Sequence, residues 1–353
     1  MTEPLEADRL GEAPHPRHTA RLIGQEDAER AFLAAWNGGR PHHAWLLAGP
    51  RGVGKATLAW RIARFLLTDP PRPADTLEPG DHPDLARIRA LSEPRLLLLR
   101  RPWDEKRGRL RAEITVDEAR RLDPFLGLSA DGHRAVIVDD ADALNRSAAN
   151  AILKLLEEPP ARTTFFLVSH QPARLLPTIR SRCRTLRLAP LDPPGLLEAV
   201  RATGAADPDP ALAALAEGSV GAAIALAGGA AETYAALVRL FSAPPMDRAD
   251  ARRLADAHAG RGGAERLAGT LDAIQRLLHR AARAGLLGPP PEAVAGEAAT
   301  LRRLAPHDAA ARLWAERAQW LERRAAHAAG VNVDPAAIVW DQLAAVDETA
   351  RAL

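Results

Sequence analysis

Ala44-Trp45-Leu46-Leu47-Ala48-Gly49-Pro50-Arg51-Gly52-Val53-Gly54-Lys55 is the stretch on which the reading of this chain turns. Five apolar residues in succession suit a short strand buried on both faces. Gly49 to Lys55 fit G-x-x-x-x-G-K, and Lys55 to Leu67 then carry helical spacing. Strand, glycine loop and helix start stand in the order that phosphate binding needs. Glycines let backbone N–H groups wrap the phosphates, the helix N-terminus adds a favourable dipole, and the lysine contacts the outer phosphates. The chain has only three lysines, Lys55, Lys106 and Lys154, so a motif that requires lysine is hard to meet by accident. The competing reading is an ordinary glycine turn capping a helix.

Similar punctuation extends to either side. Gln25 to Trp36 has helical spacing and Gly38-Gly39 stops it. Prolines at 70, 71, 73, 79 and 83 interrupt regular structure up to about Asp84. Leu96 to Leu99 is apolar, a polar turn lies around Asp104 to Gly108, and Thr115-Val116-Asp117-Glu118 fits a capping box. Ala135 to Val138 reads as a buried strand, Asn145 to Glu158 as a helix closed by Pro159-Pro160, and Thr164 to Val168 and Thr185 to Leu188 as two more strands. Strands alternating with helices predict an α/β domain, a parallel sheet with helices on both faces, over residues 21–189. A loose arm is expected over 1–20. Beyond Pro190 the sequence is Ala, Leu and Arg at helical spacing, predicting a small helical domain over 190–232 and an all-α domain over 233–353. In the latter, Leu313, Trp320 and Leu321 are candidates for a core stripe, and Asp334-Pro335 suits the start of a final helix.

Composition narrows the function classes. A chain of 353 residues is long enough for two or three domains at roughly 100 to 200 residues each. No run of about 18 uncharged apolar residues occurs, and Met1 to Glu12 lacks the basic and apolar regions of a signal peptide, so a cytosolic protein with no membrane partner is expected. The single cysteine, Cys183, excludes an internal disulfide and a cysteine-based zinc cage, and the 11 histidines show no metal-binding spacing. Forty-seven basic against 45 acidic side chains leave a net charge of only +2, which does not announce a nucleic-acid binder.

The nucleotide motif is incomplete. The Ser or Thr that should follow the lysine and hold Mg²⁺ is Ala56, while Thr57 comes one position late, about 100° round the helix. Magnesium would lose a protein ligand, and metal neutralisation is what drives phosphoryl transfer. The apolar strand ending in Asp139-Asp140-Ala141-Asp142 suits the second half of such a site. Asp139 could bind a metal-linked water, and Asp140 stands where a longer glutamate commonly orients the attacking water. The alternative for these acids is a soluble strand end. Ser169, closing the third strand, suits either a polar sensor of the γ-phosphate or a hydrogen-bonding cap.

Leu22 to Gln25, His42 to Leu47, the glycine loop, Asp139 to Asp142, the run Asn150-Ala151-Ile152-Leu153-Lys154-Leu155-Leu156-Glu157-Glu158-Pro159-Pro160, and Thr178 to Cys183 together resemble the bacterial clamp-loader branch of the AAA+ proteins. The resemblance covers residues 20 to 230 and the helical remainder only by pattern. It implies an AAA+ P-loop domain, a helical lid and a collar that joins subunits into a ring. It also implies a role for Arg182 in Ser181-Arg182-Cys183, as an arginine finger that enters a neighbour's ATP site and stabilises the charge on the transferred phosphoryl group. Gly221 stands at the lid position where active relatives carry an arginine. The zinc module that many such subunits insert before the acidic strand has no cysteines here, so zinc is not expected. Ala56, Asp140 and Gly221 together imply a subunit that holds ATP or ADP without hydrolysis and with magnesium in doubt. Such a subunit would serve gamma or tau and delta subunits, with the sliding clamp and primer–template DNA met through the assembled ring. An active ATPase of the same fold, using Thr57 or water, and a stand-alone DNA-binding module are the alternatives.

Overall fold

The computed structural model describes residues 6–9, 13–19, 21–39, 41–106, 108–127, 131–204, 210–260, 262–331 and 333–353. The chain divides into two compact units, one formed by residues 1–206 with 218–222, the other by 207–217 with 223–353. This division differs from the lid and collar boundaries expected above. Residues 218–222 join the first unit because Leu191 donates its N–H to the Gly218 carbonyl and Ser219 bonds to Arg51.

The first unit contains, in chain order, α1 (Glu26–Asn37), β1 (Ala44–Ala48), α2 (Lys55–Leu67), α3 (Asp84–Arg89), β2 (Leu96–Arg100), β3 (Trp103–Asp104), β4 (Arg109–Leu110), α4 (Val116–Ala119), α5 (Leu122–Gly127), β5 (Arg134–Asp139), α6 (Arg146–Glu157), β6 (Thr163–Ser169), α7 (Pro177–Ser181), β7 (Arg184–Arg187) and α8 (Pro193–Thr203). Five strands form one parallel sheet in the order β2-β5-β6-β1-β7. The period-2 alternation of a strand sorts the side chains. Trp45, Leu47, Ile137, Phe166 and Val168 pack with α1 and α2 on one face, while Leu46, Val136, Val138, Phe165 and Leu167 pack with α6 on the other. Both faces are covered, which is why β1 reads as an unbroken apolar run and β6 is buried along its whole length around Phe165 to Val168. Crossovers between parallel strands leave the glycine loop after β1 and the acids after β5 at the carboxyl ends of the strands, where open α/β sheets bind ligands.

Several expectations differ in detail. The polar turn near Asp104 is a short antiparallel pair, β3 with β4. Thr115 makes no side-chain cap on α4, so the capping box does not form. The described part of the first twenty residues is packed, not loose, with residues 1–5, 10–12 and 20 outside the description. His15 is buried edge-on against Trp60, Arg64 donates to the carbonyls of Arg17 and Thr19, and Arg100 at the end of β2 pairs with Glu6 and Asp8. The proline-rich loop is pinned as well: Asn37 exchanges two hydrogen bonds with Ala74, and Arg72 stacks 3.8 Å over Trp36.

The second unit contains α9 (Pro210–Ala216), the end of α10 (Val220–Ala225), α11 (Ala231–Leu240), α12 (Arg248–Asp256), α13 (Gly263–Leu287), α14 (Glu297–Leu304), α15 (Asp308–Gly330) and α16 (Pro335–Ala352), with no strand among the described residues. Its core encloses a charged group. Glu297 is fully buried, and its carboxylate accepts from Tyr234 Oη and Arg280 Nε, each at 2.6 Å, and from the Ala293 N–H. With every oxygen engaged, a buried carboxylate is tolerable; unpaired it would be prohibitive. On α15 the buried stripe is Ala311, Trp314, Ala318, Leu321 and Ala325. Trp320, assigned to the core from sequence, is exposed, flanked by Arg317 and Arg324. Asp334 caps α16 by accepting from the Ala337 N–H.

Acid should unfold the first unit through His133, whose ring contacts Thr164 Oγ1 at 3.1 Å and packs edge-on against Trp36. Burial pushes its pKa down to about 4, whereas the unfolded chain takes the proton at about 6.5. Stability present above 6.5 is therefore lost as the pH falls toward 4, by at most about 3 kcal/mol. Thermal melts between pH 7 and 4 should show this slope, and His133→Asn should flatten it.

Candidate functional site

The glycine loop lies between β1 and α2, and its geometry follows from where its carbonyls find donors. Lys55 Nζ donates to the Gly49 carbonyl at 2.8 Å and also to Pro50. Ser219 Oγ donates to the Arg51 carbonyl at 2.8 Å, the Gly221 N–H to Gly52 at 3.1 Å, and Gln25 Nε2 to Val53 at 3.2 Å. Leu58 N–H reaches the Gly54 carbonyl as α2 begins. Six consecutive carbonyls, 49 to 54, are thus engaged by the chain itself, so the loop is held open by bonds that no ligand need supply.

Two glycines are obligatory here. A Cβ on Gly49 would lie 2.3 Å from the Leu188 carbonyl oxygen. Gly52 has φ +77°, and a Cβ on it would meet Ser219 Oγ at 2.4 Å and Gly221 Cα at 2.9 Å. Gly54 precedes α2 in a left-handed conformation. Gly221, where an arginine was the family expectation, is packed against this loop.

The candidate side chains from β5 and β6 gather beside it. Lys55 is 3% exposed, and burial pushes its pKa down to about 8 against the opposing pull of Asp139, Asp142 and Asp140. Burial pushes Asp139 up to about 8, with Asp8 and Asp140 adding repulsion. Ala56 offers no oxygen, and Thr57 is half-buried one position further along α2. The loop therefore has the shape to take a phosphate, and position 56 offers a metal no oxygen.

Asp140 and Ser169 are already occupied. Asp140 Oδ1 accepts from the Ala143 N–H at 2.9 Å, and Oδ2 lies 3.5 Å from His170 Nε2. Although burial opposes it, His170, Arg101 and that N–H hold the Asp140 carboxyl below its ordinary range. Ser169 is fully buried, and its hydroxyl donates to Asp142 Oδ1 at 2.6 Å, the cap alternative among the two readings of this serine. Asp142 also accepts from the backbone N–H groups of His170 and Gln171. Sequence reasoning assigned no part to Asp142, His170 or Ser219, because their partners lie far away in the chain.

Arg182 is not at this site. β7 runs parallel to β1 with Arg184 opposite Trp45, so Arg182 lies alongside residue 43, six residues before Gly49. At about 3.3 Å per residue that is about 20 Å, beyond the reach of an arginine side chain. Its guanidinium is partly exposed, bonded to Glu157 Oε1 at 2.8 Å and to the Thr178 carbonyl at 3.1 Å. Cys183 beside it is packed against the core, and burial pushes its thiol up to about 12, as the packing reading requires.

Gly52→Ala should lower the stability of the first unit by about 2 kcal/mol, from the left-handed conformation and the displaced Ser219 turn. Chemical denaturation checks this, with Gly204→Ala, at a left-handed glycine that has no atom within 4 Å, as the control that isolates the conformational part.

Residues 24–192 match the family model described as DNA polymerase III, delta subunit. The chain is 42% identical over 156 residues to DNA polymerase III subunit delta' of Pseudomonas aeruginosa, covering 42% of this chain and 45% of that protein. It is 34% identical over 206 residues to the subunit delta' of Escherichia coli, covering 55% and 57%. DNA polymerase III subunit tau of Salmonella typhimurium is 34% identical over 187 residues, 50% of this chain and 26% of that one. The chain thus spans about half the length of the delta' relatives it matches. The Thermotoga maritima RuvB Holliday junction branch migration motor aligns with 85% of this chain and 91% of its own at 16% identity and a TM-score of 0.41, a likeness too slight to add to the strand order. Residues 24–192, which include the glycine loop and all five strands of the parallel sheet, are thus similar to the DNA polymerase III delta-subunit family.

Proposed function

We propose that the chain is a delta-prime-type subunit of a replicative clamp loader, which hydrolyses no ATP itself, completes the ring and lends Arg182 to the ATP site of an adjacent gamma or tau subunit. Acting in the cytoplasm with those subunits and delta, it helps to place a sliding clamp on primed DNA. The observation that carries this reading is the separation of Arg182 from its own cradle. A cation about 20 Å from the phosphates its own chain would hold can act on phosphates only in another subunit. There its charge would stabilise the transferred γ-phosphoryl group, a contribution of roughly 10³ to 10⁵ in rate in NTPases generally.

The cradle supports the other half of the reading. Gly52, Gly54 and Lys55 would hold the phosphates of ATP or ADP, with Lys55 exchanging its loop carbonyls for phosphate oxygens. A bound nucleotide supplies the phosphoanhydride. The residues present leave it intact, since Ala56 offers the metal no hydroxyl and Asp140 is committed to Ala143 and His170. Nucleotide would then act as a structural ligand, stabilising the folded chain by mass action.

The purified chain alone should turn over ATP negligibly, measured by phosphate release. A rate typical of AAA+ motors that Lys55→Ala abolishes would instead establish the active-ATPase alternative. In a complex reconstituted with gamma or tau and delta subunits, Arg182→Ala should leave assembly intact by gel filtration and slow ATP turnover. Unchanged turnover refutes the finger.

A further inference from the structure

We propose that Glu157 is a positioning residue for Arg182, orienting its guanidinium before a neighbour's nucleotide arrives; the inference rests on the finger role assigned to Arg182 above. The backbone around Arg182 is fixed on both sides. Ile179, three residues earlier on α7, is fully buried, and Cys183, the next residue, packs against the core. What remains free in such a residue is the long side chain, whose many rotamers must be frozen before it can act. Two bonds do this in advance. One guanidinium nitrogen pairs with Glu157 Oε1 at 2.8 Å and the other donates to the Thr178 carbonyl at 3.1 Å.

Glu157 is itself well placed to hold a fixed position. It closes α6, where the preceding residue, Leu156, is buried and its carbonyl bonds to His43 Nε2 at 3.0 Å, tying the helix end to the start of β1. The Glu157 and Arg182 side chains are 44% and 36% exposed, so the pair remains accessible to a neighbouring subunit. An ion pair this exposed contributes little to folding, and its consequence is geometric. It limits the directions in which the fork points and leaves the remaining N–H donors for phosphate oxygens. Sequence spacing gives no sign of the pairing, since 25 positions separate the two residues.

The test is ATP turnover by the complex reconstituted with gamma or tau and delta subunits, over a range of ATP concentrations, with Arg182→Ala, Glu157→Ala, Glu157→Asp and the double alanine variant. The difference between the wild-type and Arg182→Ala complexes defines the finger-dependent turnover. Glu157→Ala should remove about half of it or more through kcat, with the KM for ATP within about twofold, because the finger acts on charge that develops in the transition state. Glu157→Asp should restore most of the loss, and the double variant should equal Arg182→Ala. Full finger-dependent turnover in Glu157→Ala overturns the proposal. So does a double variant slower than Arg182→Ala alone, which would reveal an effect independent of the finger. If Arg182→Ala itself costs nothing, the finger reading fails and this inference falls with it, a result distinct from the other two.

Discussion

The satisfaction of the glycine-loop carbonyls is the constraint on which the rest of the site depends. A loop that must aim its N–H groups at a ligand turns its carbonyls inward, and each buried carbonyl without a donor costs about 1 to 3 kcal/mol. Donors come from Gln25 before α1, from Lys55 and Leu58 on α2, and from Ser219 and Gly221 nearly 170 positions further on. Segments at both ends of the first unit are thereby fastened to one short turn. Backbones approach closely where Gly52 meets Gly221, and a Cβ on Gly52 would lie 2.9 Å from Gly221 Cα.

The same turn fixes the electrostatics. By burying Lys55 against loop carbonyls, the fold disfavours its charged form. By burying Asp139 near Asp8 and Asp140, it disfavours that carboxylate as well. Such a site is pre-shaped by the chain's own bonds, and phosphoryl transfer in general adds metal-held positive charge where negative charge develops. At position 56 this chain carries alanine, which offers a metal no oxygen.

What was legible in the sequence follows from range. β1 and the Phe165 to Val168 stretch of β6 are apolar because both faces of the sheet are covered, so local composition revealed them. The start of α6 was equally readable, since Asn145 caps it by accepting from the Ala148 N–H three residues on. The glycine motif marked Gly49, Gly52, Gly54 and Lys55 as candidates directly, and Arg182 became a candidate through the resemblance alone. Pairings between distant segments carry no such mark. Ser219 on Arg51, Arg182 on Glu157 and the Tyr234, Arg280 and Glu297 group are fixed only when the chain folds back on itself. Trp320 was misplaced for a related reason. Its neighbour Leu321 belongs to the stripe led by Trp314, and a one-residue error in phase turns a side chain by about 100° and sends it to solvent. The arm was misread because its few anchors, His15, Asp8 and Glu6, are polar residues that composition assigns to solvent.

Strands that all run the same way give the first unit a polarity. The glycine loop follows the carboxyl end of β1, and Arg182 precedes the amino end of β7, so the two lie at opposite ends of the strands of a single sheet. On the proposed reading, in which Arg182 serves a neighbour's nucleotide, such units join head to tail, through unlike surfaces. In a head-to-tail series each member has a giving end and a taking end, and on that reading a member that holds nucleotide without turnover is matched to a position where only its giving end is needed.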